Sequence, residues 1–381
     1  ITSECKDNCC IGGWEIDIDD ETYERYNNMT GELKHKIIDS ITQNEDEEYC
    51  FKLCDGKCPM LDDNGLCEIH KNLGEDYLGV VCKQFPRYSE YYGTIKESGI
   101  GLACEEAARI ILSENRPFSM ETAACDEEYE PSSEYDSSFA LQIFAAREAV
   151  FKILAKESLS IHEKLIVILD MGSKIQQCIN TDEYDNIKSV VNDYLKEGIA
   201  HTLDETRNLS DSGQFEDISL QQGIRQILYP YEEMEVLNPE WEVILKDIID
   251  SLFEQMSDEE YNILNEEFGT YMVSRAYEYR QLLEYLVFRY FAKSIYDYDF
   301  LGKCQMLVTN FFVIRQMDII RWLDNHREYS FKDRMDVVHI FSRQVEYSED
   351  NIENLYEDFI FDDIFKTDSL IAILWIDSEN I

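Results

Sequence analysis

The chain has 381 residues, 44% apolar and 12% aromatic, which is enough for two or three ordinary domains with a substantial core. Its 34 basic and 79 acidic residues leave a formal charge of −45, which argues against sustained binding to nucleic acid or an anionic membrane and allows a basic partner. The longest uninterrupted apolar run, Leu370 to Ile376, is far short of the roughly 20 residues of a membrane helix, so no transmembrane segment and a cytoplasmic location are expected.

Ten of the twelve cysteines lie in the first 125 residues. Small secreted scaffolds use cysteines as disulfides because they lack a core. Here a large body follows, so reduced thiolates that hold a metal are the expectation. Thiolates are soft ligands suited to zinc or to iron-sulfur clusters. The fold class expected is mainly α: a small, irregular, cysteine-rich metal-binding domain with minor β over residues 1–125, then a multi-helix domain over 126–381.

Cys5, Cys9 and Cys10 open the chain, and Trp14 to Ile18 alternates like a short strand. Asp19 and Asp20 read as the cap of a helix through Tyr23 and Tyr26, and a second helix is expected over Glu32 to Thr42. Cys50, Cys54 and Cys58 fall at intervals of four and would line one face of a helix that Pro59 ends. Asp62 to Gly65 reads as a turn that lets Cys58 approach Cys67, with His70 either a ligand or a surface residue. A helix from Leu73 should deliver Cys82. Glu90 to Ser98 reads as a hairpin turning at Gly93, and Cys104 should start a helix over Glu105 to Ser113, where its thiolate would gain from free amides.

From about Tyr135 onward helix follows helix, with apolar residues such as Phe139, Ile143, Val150 and Leu154 at helical spacing. The polar stretch Thr181 to Ser219, with its turn signals, reads as a flexible connection or a hairpin tip. Later helices are expected at Trp241 to Phe253, Tyr271 to Lys293, Lys303 to Leu323, Phe331 to Val345 and around Leu370 to Ile376. Their aromatic stripes read as core, and Cys178 and Cys304 as buried thiols.

Several stretches resemble the bacterial flagellin lysine N-methylase family. They are Cys5-x3-Cys9-Cys10 with Trp14, Cys58-Pro59-Met60-Leu61 leading to Cys67, Leu73-Gly74-Glu75 leading to Cys82 and Phe85-Pro86-Arg87, and Cys104-Glu105-Glu106-Ala107-Ala108-Arg109. Near the other end, Phe288-Arg289-Tyr290-Phe291 and Phe341 to Asn351 resemble the family's carboxy-terminal signature. The front also resembles a wider group of zinc- or iron-chelating proteins. The chain departs from the family pattern at Glu105, where a proline is common, and at Gln344 and Tyr347, where a Glu and a His are usual.

The resemblance implies methyl transfer from S-adenosylmethionine to a lysine nitrogen on a protein, flagellin, with an iron-sulfur cluster as the metal centre. The expected metal ligands are Cys5, Cys9, Cys10, Cys58, Cys67, Cys82 and Cys104. No glycine-rich dinucleotide loop appears, so no motif locates the donor. Glu346, with Arg343 as its structural partner, is the candidate for orienting the groove where the lysine would lose its proton, with a surface or inter-helix salt bridge as the alternative reading. The alternative is a non-enzymatic zinc- or iron-chelating module on a helical protein-interaction scaffold.

Overall fold

A computed structural model describes residues 9–12, 14–44, 47–124, 136–211 and 218–379. The fold is mainly helical with two small antiparallel sheets. Cys5 lies outside the described residues. Among them, no helix is long and apolar enough to cross a membrane.

The front module begins with an extended segment whose Ile18 amide donates to the Tyr49 carbonyl and whose Ile16 carbonyl accepts from Phe51. Helix α1 (Asp20–Asn28) starts at Asp19, whose carboxylate accepts from the Thr22 amide and saves a donor that a helix end would otherwise leave open. Helix α2 (Glu32–Asp39) is followed by strands β1 (Ile41–Gln43) and β2 (Tyr49–Phe51), paired antiparallel. Cys50 therefore sits in a ladder opposite Thr42, and Cys54 in a turn closed by Lys57. The expected helix through Cys50, Cys54 and Cys58 does not form, because strand pairing fixes Cys50 and the turn reverses the chain before Cys58. Asp62 to Gly65 makes the expected turn, with Gly65 at φ 71°. Helices α3 (Glu68–Leu73) and α4 (Val80–Gln84) follow, the latter carrying Cys82.

Strands β3 (Arg87–Tyr92) and β4 (Ile95–Ile100) form the hairpin around Gly93, and Cys104 caps α5 (Glu105–Leu112). Apolar packing changes partner before this hairpin. Ile16, Tyr26, Ile37, Phe51 and Met60 form a small core reaching Leu78, whereas Tyr92, Leu102, Ala108 and Leu112 join the core of the helical body. The hairpin and α5 thus belong to the body by packing, although they are continuous with the cysteine-rich sequence.

The body comprises α6 (Ser137–Leu154), α7 (Ile161–Asn180), α8 (Ile187–Asp193), α9 (Ile199–Asp211), α10 (Leu220–Glu232), α11 (Pro239–Ile248), α12 (Asp258–Met272), α13 (Ala276–Tyr290), α14 (Ser294–Asp297), α15 (Phe300–Asp324), α16 (Phe331–Val345), α17 (Glu349–Phe361) and α18 (Thr367–Glu379). Nearly every residue of α15 is buried, as befits a central helix with no solvent face. Thr181 to Asp211 is helical and not a flexible connection: Ile187, Val191 and Tyr194 bury one face against α6 and α7. Its polar residues form the outer face of that layer. Residues 212–217 of the same expected connection lie outside the described residues.

The acidic chain buries several of its arginines. Arg334 donates to Glu278 at 3.0 Å and to Asp318 at 2.7 Å, beneath the ring of Tyr279. Asp377 of α18 meets His162 at 2.6 Å and lies 3.9 Å from Arg315. Each pair compensates charges whose isolated burial would be costly.

Candidate functional site

Backbone pairing draws the thiols of the front module together. The Cys58 amide donates to the Cys10 carbonyl at 2.8 Å, and Leu61 bridges to Cys67. Cys67 stands at the N-cap of α3, where the nearby amides of His70 and Ile69 partly offset the burial that raises its thiol. The side chain of His70 faces solvent.

The Cys10 thiol hydrogen-bonds with Cys58 and Cys9, which raises its own pKa. The bond from Cys10, outweighing burial and helped by Arg343, lowers Cys9 to about 7. Cys58 is lowered mainly by the same partner. Burial raises Cys67, and burial with repulsion from Cys58, Cys67 and Cys9 pushes Cys82 up to about 12, although part of that residue is exposed. Cys9, Cys10, Cys58, Cys67 and Cys82 thus lie within electrostatic reach of one another. Cys50 belongs elsewhere: burial and its acidic neighbours Glu15 and Asp17 raise it to about 11.

Among the described residues, no three His, Cys, Asp or Glu side chains already stand where they could hold a metal ion. Thiols suit a thiophilic centre in chemistry, and Cys9, Cys10 and Cys58 form a hydrogen-bonded chain with Cys67 and Cys82 in electrostatic reach. Cys104 and Cys9 both lie within electrostatic reach of Tyr347.

Tyr347 joins the module to the body. Its ring stacks on Trp14 and meets Phe85 at 6.2 Å. Next to it, Glu346 is buried and its Oε2 accepts from the hydroxyls of Tyr285 and Tyr290, each at 2.9 Å, and pairs with Arg289 Nε at 3.1 Å. The Arg289 guanidinium lies 4.4 Å over the Tyr88 ring. Burial pushes Tyr285 and Tyr290 well up. The tyrosines and Glu346 overcome the burial that would lower Arg289 and hold it firmly charged. Arg289, not Arg343, is therefore the guanidinium paired with Glu346. Arg343 lies 4.7 Å over the Trp14 ring and 3.3 Å from His339. The three-residue spacing that relates Arg343 to Glu346 near the end of α16 does not bring them together, because one faces the module and the other faces α13. Arg289 and Tyr290 were visible in the sequence only as part of the signature Phe288-Arg289-Tyr290-Phe291, with no indication of their partner.

Gln344 is fully buried and ties the α10–α11 connection to α16. Its Oε1 accepts from the amides of Leu237 and Asn238, and its Nε2 donates to the Glu235 carbonyl.

A cleft of about 560 Å³ opens between module and body. Ile11, Gly12 and residues 55–57 form the module wall, residues 236–240 and α16 form the body wall, and Glu105 of α5 also reaches it. His339 and Arg343, 3% and 2% exposed, lie at its base. Asp336 and Glu240 add carboxylates. The volume is that of a small-molecule site, and its place between packed units is a common one for such sites.

Residues 147–373 match the model of the FliB lysine N-methylase C-terminal domain. A stretch of 118 residues, 29% of this chain, is 31% identical to the lysine-N-methylases of Salmonella typhimurium (strain LT2) and Salmonella choleraesuis (strain SC-B67), and covers 29% of each. It is also 31% identical to the flagellar biosynthetic protein FliU of Salmonella muenchen, of which it covers 69%. The chain thus aligns with less than a third of the length of the two lysine-N-methylases. No solved structure matches it.

Proposed function

The chain belongs to the FliB lysine N-methylase family, and from that premise we propose that it transfers a methyl group from S-adenosylmethionine to a lysine side chain of flagellin. The observation that carries this reading is the family domain over residues 147–373.

In the transfer, the lysine nitrogen forms a bond to the methyl carbon as the carbon–sulfur bond breaks, and the electron pair returns to sulfur. A lysine with its ordinary pKa of about 10.4 must first lose a proton. Asp336, Glu240 and Glu105 provide carboxylates on the cleft wall to receive it, beside apolar surface from Leu237 and Ile340 that disfavours the charged amine. Glu346 is a positioning residue: it holds Tyr285, Tyr290 and Arg289 beneath Tyr347, and so sets the module against the body.

The thiols of Cys9, Cys10, Cys58, Cys67 and Cys82 would hold an iron-sulfur cluster, with Cys5 and Cys104 as further ligands. Bound there, the cluster supplies one-electron chemistry. The thiol grouping supports a metal centre, and zinc is the alternative occupant. The acidic surface favours capture of a lysine-bearing protein.

The test incubates anaerobically purified protein with flagellin and labelled S-adenosylmethionine, then maps methyl-lysine in acceptor peptides by mass spectrometry, alongside iron, sulfide and zinc analysis. Methylated flagellin with a brown, iron-bearing protein is the expected result. A colourless, zinc-bearing protein that leaves flagellin unmodified would overturn the reading in favour of a chelating scaffold.

A further inference from the structure

We propose that the cavity between the α6–α7 turn and the start of α13 binds a small organic carboxylate, with the ammonium of Lys164 as its counter-ion. None of the residues that line this cavity lines the cleft between module and body.

The cavity measures about 420 Å³, the size of a small-molecule site. Ala155, Leu159 and Ile161 line it from the α6–α7 turn, Tyr277 from the first turn of α13, and Pro117 from the segment after α5. Lys164 borders it and is 5% exposed. Among the described residues, no hydrogen bond or ion pair reaches its ammonium. Other buried cations of the chain do have a carboxylate: Arg147 pairs with Glu97, and Lys303 with Asp297 at 2.6 Å. An ammonium taken out of water without a counter-charge is costly, so this one gains by accepting an anion from solution.

The neighbouring charges do not meet that need. Glu284 directs both oxygens to Arg280 Nη1, at 2.7 and 2.8 Å, and acts on Lys164 only from a distance. Glu157 is exposed and likewise forms no ion pair with it. Burial, with repulsion from Arg280, lowers the lysine. The first turns of α7 and α13 both border the cavity and add the partial positive charge of helix starts.

A single ammonium balances a single negative charge, which suits a monocarboxylate. A phosphate dianion would bring a second charge into a strongly acidic protein, where the nearby guanidinium of Arg280 is already neutralised by Glu284. Leu159, Ile161, Pro117 and the Tyr277 ring offer apolar wall for a short hydrocarbon or aromatic body behind the carboxylate.

The experiment is isothermal titration of the purified full chain with benzoate, acetate and inorganic phosphate, at constant ionic strength in chloride. Benzoate should bind saturably and more tightly than acetate, and phosphate should not bind. Lys164→Met should weaken benzoate about tenfold or more through loss of a charge-assisted contact. Without benzoate the same variant should melt above the wild type, because it removes an uncompensated buried charge. A second variant, Ala155→Trp, fills the cavity from an exposed position and should weaken benzoate while keeping the wild-type circular dichroism. A wild type that does not bind benzoate, or variants that bind it as the wild type does, would overturn the proposal. Phosphate bound as tightly as benzoate would overturn the carboxylate assignment.

Discussion

The rings of Trp14 and Tyr347 lie face to face, 5.4 Å between centroids and 18° from parallel. One residue belongs to the cysteine module and the other follows α16 of the helical body, so this stack couples the thiols to the cleft. Arg343 covers Trp14 at 4.7 Å, and Tyr347 adjoins the Glu346 cluster.

Removing the stack should loosen the module without unfolding the body. Trp14→Ala deletes a large aromatic contact, at a cost of about 3 kcal/mol. Limited proteolysis should cut the front module earlier than in the wild type, while the helical circular dichroism signal persists. Equal protease resistance would show that the stack does not hold the module.

Glu346→Ala should be among the most destabilising single changes in the body. It leaves Arg289 and two tyrosine hydroxyls without their shared acceptor, and removing one member of a buried ion pair costs about 3–5 kcal/mol. Glu346→Gln keeps an acceptor and should lose less. Urea denaturation of the two variants against the wild type gives the comparison.

Acid stability should depend on Asp377. Burial would raise this carboxyl, but Arg315, His162 and Asn265 outweigh it and hold the group at about 2. A carboxyl lowered in the folded state stabilises at pH above its unfolded value of about 3.9, and that contribution is lost as pH falls toward 2. The melting temperature of the wild type should therefore fall between about pH 4 and pH 2. Asp377→Asn should be less stable at neutral pH and show a shallower fall over that interval.

Metal content should separate the grouped cysteines from the others. Cys58→Ser and Cys67→Ser are expected to lose bound metal, measured by elemental analysis of anaerobically purified protein. Cys54→Ser, at an exposed turn position, should retain it. Loss of metal in Cys54→Ser with retention in Cys58→Ser would remove the grouped thiols as the metal centre.

Gln344 ties the α10–α11 connection to α16. Its side chain accepts from the amides of the part-buried Leu237 and Asn238 and donates to the Glu235 carbonyl, a role an amide fills through its paired acceptor and donor. Gln344→Leu should therefore destabilise the cleft wall by about 1–3 kcal/mol, and should be read by hydrogen exchange of residues 235–238.

The sequence by itself determined the elements whose signals are local. Asp19 caps α1 because a carboxylate beside free amides needs no distant partner, and Asp62 to Gly65 turns because glycine can take a positive φ. The apolar spacing of Phe139 to Leu154 likewise made α6 legible, and the crowding of cysteines marked the module. Tertiary structure decided the rest. Cys50 follows the spacing of a helix yet is held in a ladder, because pairing with Thr42 outweighs a periodicity of only three residues. Thr181 to Asp211 looks too polar for ordered structure, and becomes a helical layer because one narrow face finds α6 and α7. Glu346 takes Arg289, not the nearer Arg343, because helix packing turns the two ends of that short segment toward different neighbours. Partner choice across 57 positions of chain is a property of packing, and no local pattern encodes it.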